Sequence, residues 1–122
     1  MKIKSFEDAC KALKIPSDIP SFPAETGAAA FYQLEIIARA LNGDWKPDWN
    51  DSDQYKYYPW FDFRGSRFVF FGVYFRYSYS GLGSRLCYKG EKTAEYAAET
   101  FIGLYEKMLH PAAAEDDFSD LL

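Results

Sequence analysis

Histidine and cysteine are scarce in this chain of 122 residues, which contains one histidine and two cysteines. The histidine, His110, lies at the end of a predicted helix, where the helix macrodipole already accounts for a cation, so a Ser–His or Cys–His catalytic pair lacks a base. Two cysteines cannot form a disulfide framework, and with one histidine they match no zinc-ligand spacing. The sequence predicts no catalytic site, no metal and no cofactor, and a reducing cytoplasm as the location.

Long hydrophobic runs are also missing, although 48% of the residues are hydrophobic. None approaches the ~20 apolar residues that a membrane span needs. The first fifteen residues carry charges every few positions and lack the apolar stretch of a signal peptide. We therefore expect no membrane partner. The length predicts one domain over residues 1–110, followed by an acidic, mobile tail over residues 111–122.

An excess of acidic residues conceals a basic segment. The chain has 18 acidic and 14 basic residues and a net charge of −4. Between residues 56 and 92, however, seven residues are basic and two are acidic. Such a split allows one positive surface on an acidic protein. The alternative is that these charges only solvate the outer face of a sheet.

Apolar residues at helical spacing predict three helices. The first follows Ser5, a predicted N-cap, and ends before Pro16. The second begins near Pro23 and ends at Gly43. The third spans residues 91–109. The apolar stripe of the second helix consists of Phe31, Leu34, Ala38 and Leu41. The stripe of the third consists of Ala94, Ala98, Phe101, Tyr105 and Met108.

Aromatic residues make up 13 of the 25 residues from 55 to 79, a density that favours strands. We predict strands at residues 56–63, 67–78 and 85–88, with a hairpin turn at residues 64–66. Pro59 has no amide donor, which places the first strand at an edge or beside a bulge. The sequence thus predicts an α+β domain in the order α-α-β-β-β-α, a small antiparallel meander with helices on one face.

The second strand is apolar or aromatic on both faces, whereas a half-exposed strand should alternate apolar with polar residues. Three helices can cover one face of a small sheet but not both. The second face is therefore expected to meet another copy of the chain, another protein or stacked bases. We expect a homo-oligomer. The candidate binding residues on this sheet are Trp60, Tyr74 and Arg76.

A second group of candidates surrounds the start of the last helix. Gly81 and Gly83 would let the loop approach a ligand closely. Helix amide groups and the neighbouring cations would form an anion site, although no P-loop or dinucleotide motif is present. The alternative is that the glycines serve a tight turn. The cations are Arg85, Lys89 and Lys92.

Three short sequence motifs carry a resemblance to a known family: Trp45–Trp49 (WKPDW), Tyr57–Phe61 (YYPWF) and Gly83–Cys87 (GSRLC). With them, and with the opening SFEDACKAL, the chain resembles a family of small uncharacterised proteins of phages and prophages from gut anaerobes. The resemblance implies an accessory protein of a mobile element in the bacterial cytoplasm. It implies no activity and no catalytic residues.

Two functions follow from these observations. The first is a non-enzymatic binding protein of a phage or mobile element, which recognises a nucleotide or nucleic acid through the aromatic and basic sheet. The alternative is a protein–protein interaction module, either a homodimer or an inhibitor of a host protein, which uses the same aromatic face.

Overall fold

The computed structural model describes residues 2–18, 26–76 and 84–109, and within them it forms four helices and a two-stranded antiparallel sheet. The elements are α1 (Phe6–Leu13), α2 (Gly27–Asn42), β1 (Lys56–Arg64), β2 (Arg67–Arg76), α3 (Glu91–Thr100) and α4 (Ile102–Leu109). A 3₁₀ turn, Ser84–Leu86, precedes α3. The α+β class is confirmed, but the predicted third strand and the predicted element order are wrong. The predicted tail lies outside the described residues.

None of the described helices is both long and apolar enough to cross a lipid bilayer.

Helix α1 has the predicted N-cap. The Ser5 Oγ accepts a hydrogen bond from the Asp8 amide at 3.0 Å, and an Asp8 carboxylate oxygen accepts one from the Lys4 amide at 2.9 Å. At the other end, Lys14 adopts the left-handed conformation with φ 59°. Its amide donates to the carbonyls of the last turn, so the helix ends before Pro16 is reached.

Helix α2 begins later than predicted. Its N-cap is Thr26, whose Oγ1 accepts a hydrogen bond from the Ala29 amide at 3.3 Å. The threonine hydroxyl thus satisfies one of the free amides of the first turn, whereas Pro23, near which the start was predicted, lies outside the described residues. Gly43 ends the helix as predicted, with φ 61°. Leu34, Ala38 and Leu41 of the predicted stripe are buried, but Phe31 is exposed.

The predicted last helix is divided into α3 and α4 at Phe101, which departs from helical geometry with φ −113° and ψ 26°. Hydrogen bonding nevertheless continues across it, since the Phe101 amide donates to the Ala97 carbonyl at 2.9 Å and the Phe101 carbonyl accepts from the Tyr105 amide at 3.2 Å. The predicted face is confirmed: Ala94, Ala98, Phe101 and Tyr105 are buried, and Met108 packs partly buried against the core.

Strands β1 and β2 form a hairpin around Gly65 and Ser66, as predicted. Gly65 has φ 65° and Ser66 has no positive φ, which is the pattern of a type II′ turn with glycine first. A bulge interrupts the pairing, because Trp60 lies opposite Gly72 whereas Phe61 lies opposite Phe70. Phe71 is therefore the extra residue of β2.

The bulge changes which residues of β2 face the helices. Phe68 packs against the core before the bulge and Val73 packs against it afterwards, so the inward set changes from even to odd positions. This shift explains why assigning the residues of β2 to two faces by strict alternation places apolar residues on both faces. The helices cover one face of the hairpin. On the other face, Trp60, Phe71 and Tyr74 are exposed and contact one another through their rings.

The predicted third strand is reduced to a single bridge. Tyr88 and Tyr57 exchange two main-chain hydrogen bonds, of 2.8 and 3.1 Å. The next position of β1 that faces this edge is Pro59, which has no amide to donate. On the opposite side of the bridge, Gly90 is already the N-cap of α3. Pairing therefore cannot extend in either direction.

The Asn42 side chain takes the place of a further strand. Its Nδ2 donates to the Cys87 carbonyl at 3.0 Å, and its Oδ1 accepts from the Lys89 amide at 2.9 Å. These main-chain groups point away from β1, since those of Tyr88 point toward it. The buried amide of Asn42 thus holds the segment 87–89 between the sheet and α2.

Two tyrosines connect this segment with the helical layer. The hydroxyls of Tyr88 and Tyr105 are 2.8 Å apart, and both side chains are buried. The ring centroid of Phe61 lies 4.6 Å from that of Tyr105. Burial raises the pKa of both phenols above the usual value, because the phenolate is poorly solvated there.

We expect the free energy of unfolding to fall steeply above pH 10. Both phenols have a higher pKa in the folded state than in the unfolded chain, so the stabilisation is complete below about pH 10 and is lost as the pH rises toward the folded pKa. Each phenol that titrates on unfolding contributes a slope of about 1.4 kcal/mol per pH unit. Urea denaturation at pH 9, 10 and 11 measures this slope.

The control is the double variant Tyr88→Phe/Tyr105→Phe, which keeps both rings and removes both hydroxyls. Its stability should depend less on pH above 10 than that of the parent. The buried thiols Cys10 and Cys87, whose pKa values burial also raises, remain in both proteins. Equal slopes would contradict the prediction.

Candidate functional site

A groove of about 500 Å³ lies between the C-terminal half of α2 and the loop that follows it. This volume is within the range of small-molecule sites, about 300–1,000 Å³. Two indoles, three cations and one carboxylate determine its chemistry. The lining residues are Leu13, Glu35, Ala38, Arg39, Asn42, Gly43, Trp45, Lys46, Pro47, Trp49, Arg85 and Cys87.

Lys56 holds the loop that forms one wall of the groove. Its Nζ donates to the Asp48 carbonyl at 2.8 Å and to the Asp51 carbonyl at 3.1 Å. The ammonium also lies 5.0 Å from the centroid of the Trp49 ring. Lys56 has no exposed surface, so its ammonium group is stabilised by these partners. Lys56 is therefore not part of a positive surface, although the sequence placed it in the basic segment.

The same loop is stiffened by a glutamine. The Gln54 Oε1 accepts from the Asp48 amide at 2.6 Å, and its Nε2 donates to the Lys46 carbonyl at 3.0 Å. The Asp48 carboxylate accepts from the Asn50 amide at 3.0 Å. The acidic residues thus serve the turns of the loop. Because these bonds flank Trp49, the aromatic wall is formed before any ligand arrives.

Arg85 also lines the groove. Its Nε lies 3.7 Å from the Glu35 Oε2, and 70% of the Arg85 side chain is exposed. This distance is that of an ion pair and is too long for a hydrogen bond, so the contact with Glu35 is weak and leaves the guanidinium accessible. Glu35 is the one acidic side chain among the described residues that line the groove.

Cys87 forms part of the groove lining and is almost fully buried. Burial raises the pKa of its thiol to about 11, so the thiol is protonated at neutral pH. A neutral buried thiol is a small apolar group and a poor nucleophile.

The hairpin candidates from the sequence lie together on the outer face. The ring centroids of Trp60 and Tyr74 are 5.1 Å apart in an edge-to-face arrangement. Arg76 follows Tyr74 on the same face, and its Nη1 donates to the Phe75 carbonyl at 2.9 Å. The groove lining includes none of these three residues.

The cations predicted around the start of α3 have different neighbours. Arg85 contacts Glu35 of α2, whereas the Lys92 ammonium lies 3.6 Å from the Glu95 carboxylate along α3. Lys89 is fixed through its main-chain amide, which bonds to Asn42. Of these cations only Arg85 lines the groove. Gly81 and Gly83 lie outside the described residues.

Sequence reasoning missed most of the groove. Glu35 and Arg39 are four residues apart on α2 and therefore share a face, a signal visible in the sequence. Trp45 and Trp49 lie in the turn-rich segment after α2, and two indoles in such a segment also indicate a binding surface. Their meeting with Arg85 required the packing of segment 87–89 against α2.

No protein-family model matches this chain, and neither the curated proteins nor the solved structures include a match to it. The resemblance to phage and prophage proteins therefore stays a prediction.

Proposed function

We propose that this chain is a non-enzymatic binding protein whose groove holds a nucleotide, with the base on the indoles and the phosphate on the guanidinium groups. The observation that carries the proposal is that Trp45, Trp49 and Arg85 line one groove. Indole rings stack on bases, and arginine binds phosphate in a bidentate manner. The accessory role in a mobile element that the resemblance implies belongs to the same proposal.

The charge of the groove supports this ligand class. Arg39, Lys46 and Arg85 line it together with the single acid Glu35, in a chain whose net charge is −4. A phosphate would compete with the Glu35 carboxylate for Arg85, and their contact of 3.7 Å is long for a strong ion pair. The volume suits a nucleotide better than a long nucleic acid strand.

Tryptophan fluorescence provides a direct test. The chain has three tryptophans, so Trp60→Phe leaves only Trp45 and Trp49, which both line the groove. In this background we expect adenosine 5′-monophosphate and guanosine 5′-monophosphate to quench the emission to saturation. Adenosine and inorganic phosphate should bind more weakly, since each makes half of the contacts. No quenching by either nucleotide at millimolar concentration would reject the proposal.

Charge variants in the same background assign the phosphate contact. We expect Arg85→Ala to weaken nucleotide binding about tenfold or more, because a hydrogen bond to a charged group contributes about 1.5–3 kcal/mol. Glu35→Gln should strengthen binding severalfold, since it removes the competing carboxylate. Arg76→Ala is the matched control, an exposed arginine of the hairpin that does not line the groove. Equal affinities for Arg85→Ala and Arg76→Ala would place the phosphate elsewhere.

A second candidate function is protein–protein interaction through the outer face of the hairpin. The observation that favours it is the exposure of Trp60, Phe71 and Tyr74, at 49%, 53% and 41%. Large aromatic residues dominate the binding energy of protein interfaces. The homodimer expected from the sequence would use this face, and sedimentation at micromolar concentration tests for it.

A further inference from the structure

The centre of the outer face of the hairpin is apolar. Trp60, Phe71 and Tyr74, which we call the hairpin patch, are exposed, and the ring centroids are 5.1 Å apart for Trp60 and Tyr74 and 6.5 Å apart for Phe71 and Tyr74. The helices pack on the opposite face, where Phe68 and Val73 contact the core. A contiguous exposed aromatic surface is typical of an interaction site. A partner binds such a surface through side chains, so it needs no free main-chain groups.

Two arginines lie at the end of this face that is next to the turn. Arg64 and Arg67 are opposite each other in the strand register, so their side chains share a face with Trp60, and both are exposed. Arg64 is paired with Asp62 at 3.1 Å, whereas Arg67 has no ion pair within the described part of the chain. Like charges directly opposite each other destabilise a sheet. This end of the face therefore favours an acidic partner.

A loop covers the other end of the same face. Side chains alternate along β1, so Lys56 lies on the outer side with Trp60. Its ammonium is nevertheless buried, because it donates to the carbonyls of Asp48 and Asp51 in the loop before the strand. The loop therefore lies against the outer face at this end.

This loop makes its end of the face negative. Residues 44–54 contain four acidic side chains and one basic side chain, and Asp48, Asp51 and Asp53 are exposed. The carboxylates outnumber the cations even when Lys56 and Arg76, which are opposite each other in the register, are included. The outer face thus has an arginine pair at one end, an acidic loop at the other and the hairpin patch between them.

These two charged ends are equally far from the centre of the patch. Arg64 lies four residues after Trp60 and Lys56 lies four residues before it, which is about 13 Å in each direction at the usual rise of a strand. The two simplest two-fold arrangements of facing hairpins have the axis along the strands or across them. An axis along the strands places one arginine pair against the other. An axis across the strands at Trp60 places the arginine pair of each copy against the acidic loop of the other.

We propose that a second copy of the chain binds the outer face of the hairpin, in a two-fold dimer whose axis crosses the strands near Trp60. The two hairpin patches pack against each other at the centre, and the arginine pair of each copy binds the carboxylates of the other copy's loop. This proposal rests on the second candidate function and names its partner. It requires no nucleotide in the groove.

The size of the face sets the expected affinity. A two-stranded face of about 30 Å by about 10 Å is smaller than the roughly 800 Å² per partner of a standard protein interface. We therefore expect a dissociation constant in the micromolar range, and sedimentation velocity across that range measures it. Phe71→Ala, which trims the patch at an exposed position, should weaken self-association about tenfold or more.

Two charge reversals test the orientation of the dimer. Arg67→Glu and Asp51→Arg should each weaken self-association about tenfold or more, because each places like charges across the interface. An equimolar mixture of the two variants should associate with nearly the affinity of the parent, since both of its charged contacts then join opposite charges. This recovery also shows that both variants are folded. Lys92→Glu, which reverses an exposed cation on α3, is the matched control and should leave self-association unchanged.

Three results would overturn the proposal. A monomer at every concentration would also remove the homodimer from the second candidate function. A dimer that Phe71→Ala dissociates but that neither charge reversal weakens would keep that function and reject the arrangement. A mixture of the two reversals that stays monomeric, although each variant is folded by circular dichroism, would show that the arginine pair does not meet the loop.

Nucleic acid on this face is a further outcome that would reject the dimer. A ten-nucleotide single-stranded DNA would then bind to the monomeric parent and not to Phe71→Ala. The nucleotide titrations of the groove are made below the dissociation constant of the dimer and use other residues, so failure here leaves the nucleotide proposal standing.

Discussion

Asn42→Ala should lower the free energy of unfolding by about 2–4 kcal/mol. The substitution removes the side-chain amide that bonds to the Cys87 carbonyl and to the Lys89 amide. Each buried polar group left without a partner costs about 1–3 kcal/mol. Among the described residues, no β-strand lies beside residues 87–89 that could supply these hydrogen bonds in place of Asn42. Urea denaturation followed by far-ultraviolet circular dichroism measures the loss.

Two further variants test the reason for this loss. Asn50→Ala is the matched control, since Asn50 is exposed on the loop and its substitution should change stability by less than about 0.5 kcal/mol. Asn42→Asp keeps the acceptor for the Lys89 amide but places a carboxylate oxygen against the Cys87 carbonyl, so it should also destabilise. Equal stability of Asn42→Ala and Asn50→Ala would show that the segment 87–89 is held by other contacts.

Elements whose cause lies within a few residues were predictable from the sequence. Ser5 caps α1 through a bond to Asp8, three residues away, and Gly43 ends α2 because its own φ is positive. The hairpin turn depends on Gly65 in the same way. The buried face of α3 and α4 follows from spacing along one helix axis. Each of these features is decided by local chemistry.

The prediction of a third strand was wrong because the residues that pair with this segment are distant in sequence. The segment around Tyr88 has a strand-like pattern, but Pro59 stops the ladder on one side and an asparagine 45 residues away completes the hydrogen bonds on the other. A side-chain amide that replaces a strand has no local sequence signal. The bulge at Phe71 could not be predicted for a different reason. Aromatic residues occupy both sides of it, so the sequence shows no change in the alternation of apolar and polar residues there.

The candidate site was found only in part for the same physical reason. Arg85 was a candidate because it is a cation near a helix start, but its partner Glu35 and the indole wall come from α2 and the following loop. Asn42 links the two halves, because it lines the groove and holds the segment 87–89, which begins two residues after Arg85. The site therefore depends on a contact between distant parts of the chain.

Phe101→Ala should destabilise the protein by about 3–5 kcal/mol, the usual cost of truncating a buried aromatic side chain. Phe101 lies at the junction of α3 and α4, is 6% exposed and belongs to the main hydrophobic core. Because the junction departs from helical geometry, the ring packing there also fixes how α4 follows α3, and thus where Tyr105 meets Tyr88. Phe71→Ala, which truncates the bulged residue on the exposed face of the hairpin, is the matched control and should cost less than about 1 kcal/mol. Equal losses in the two variants, measured by urea denaturation, would show that Phe101 is not a core residue and that the predicted buried face of the last helix is wrong.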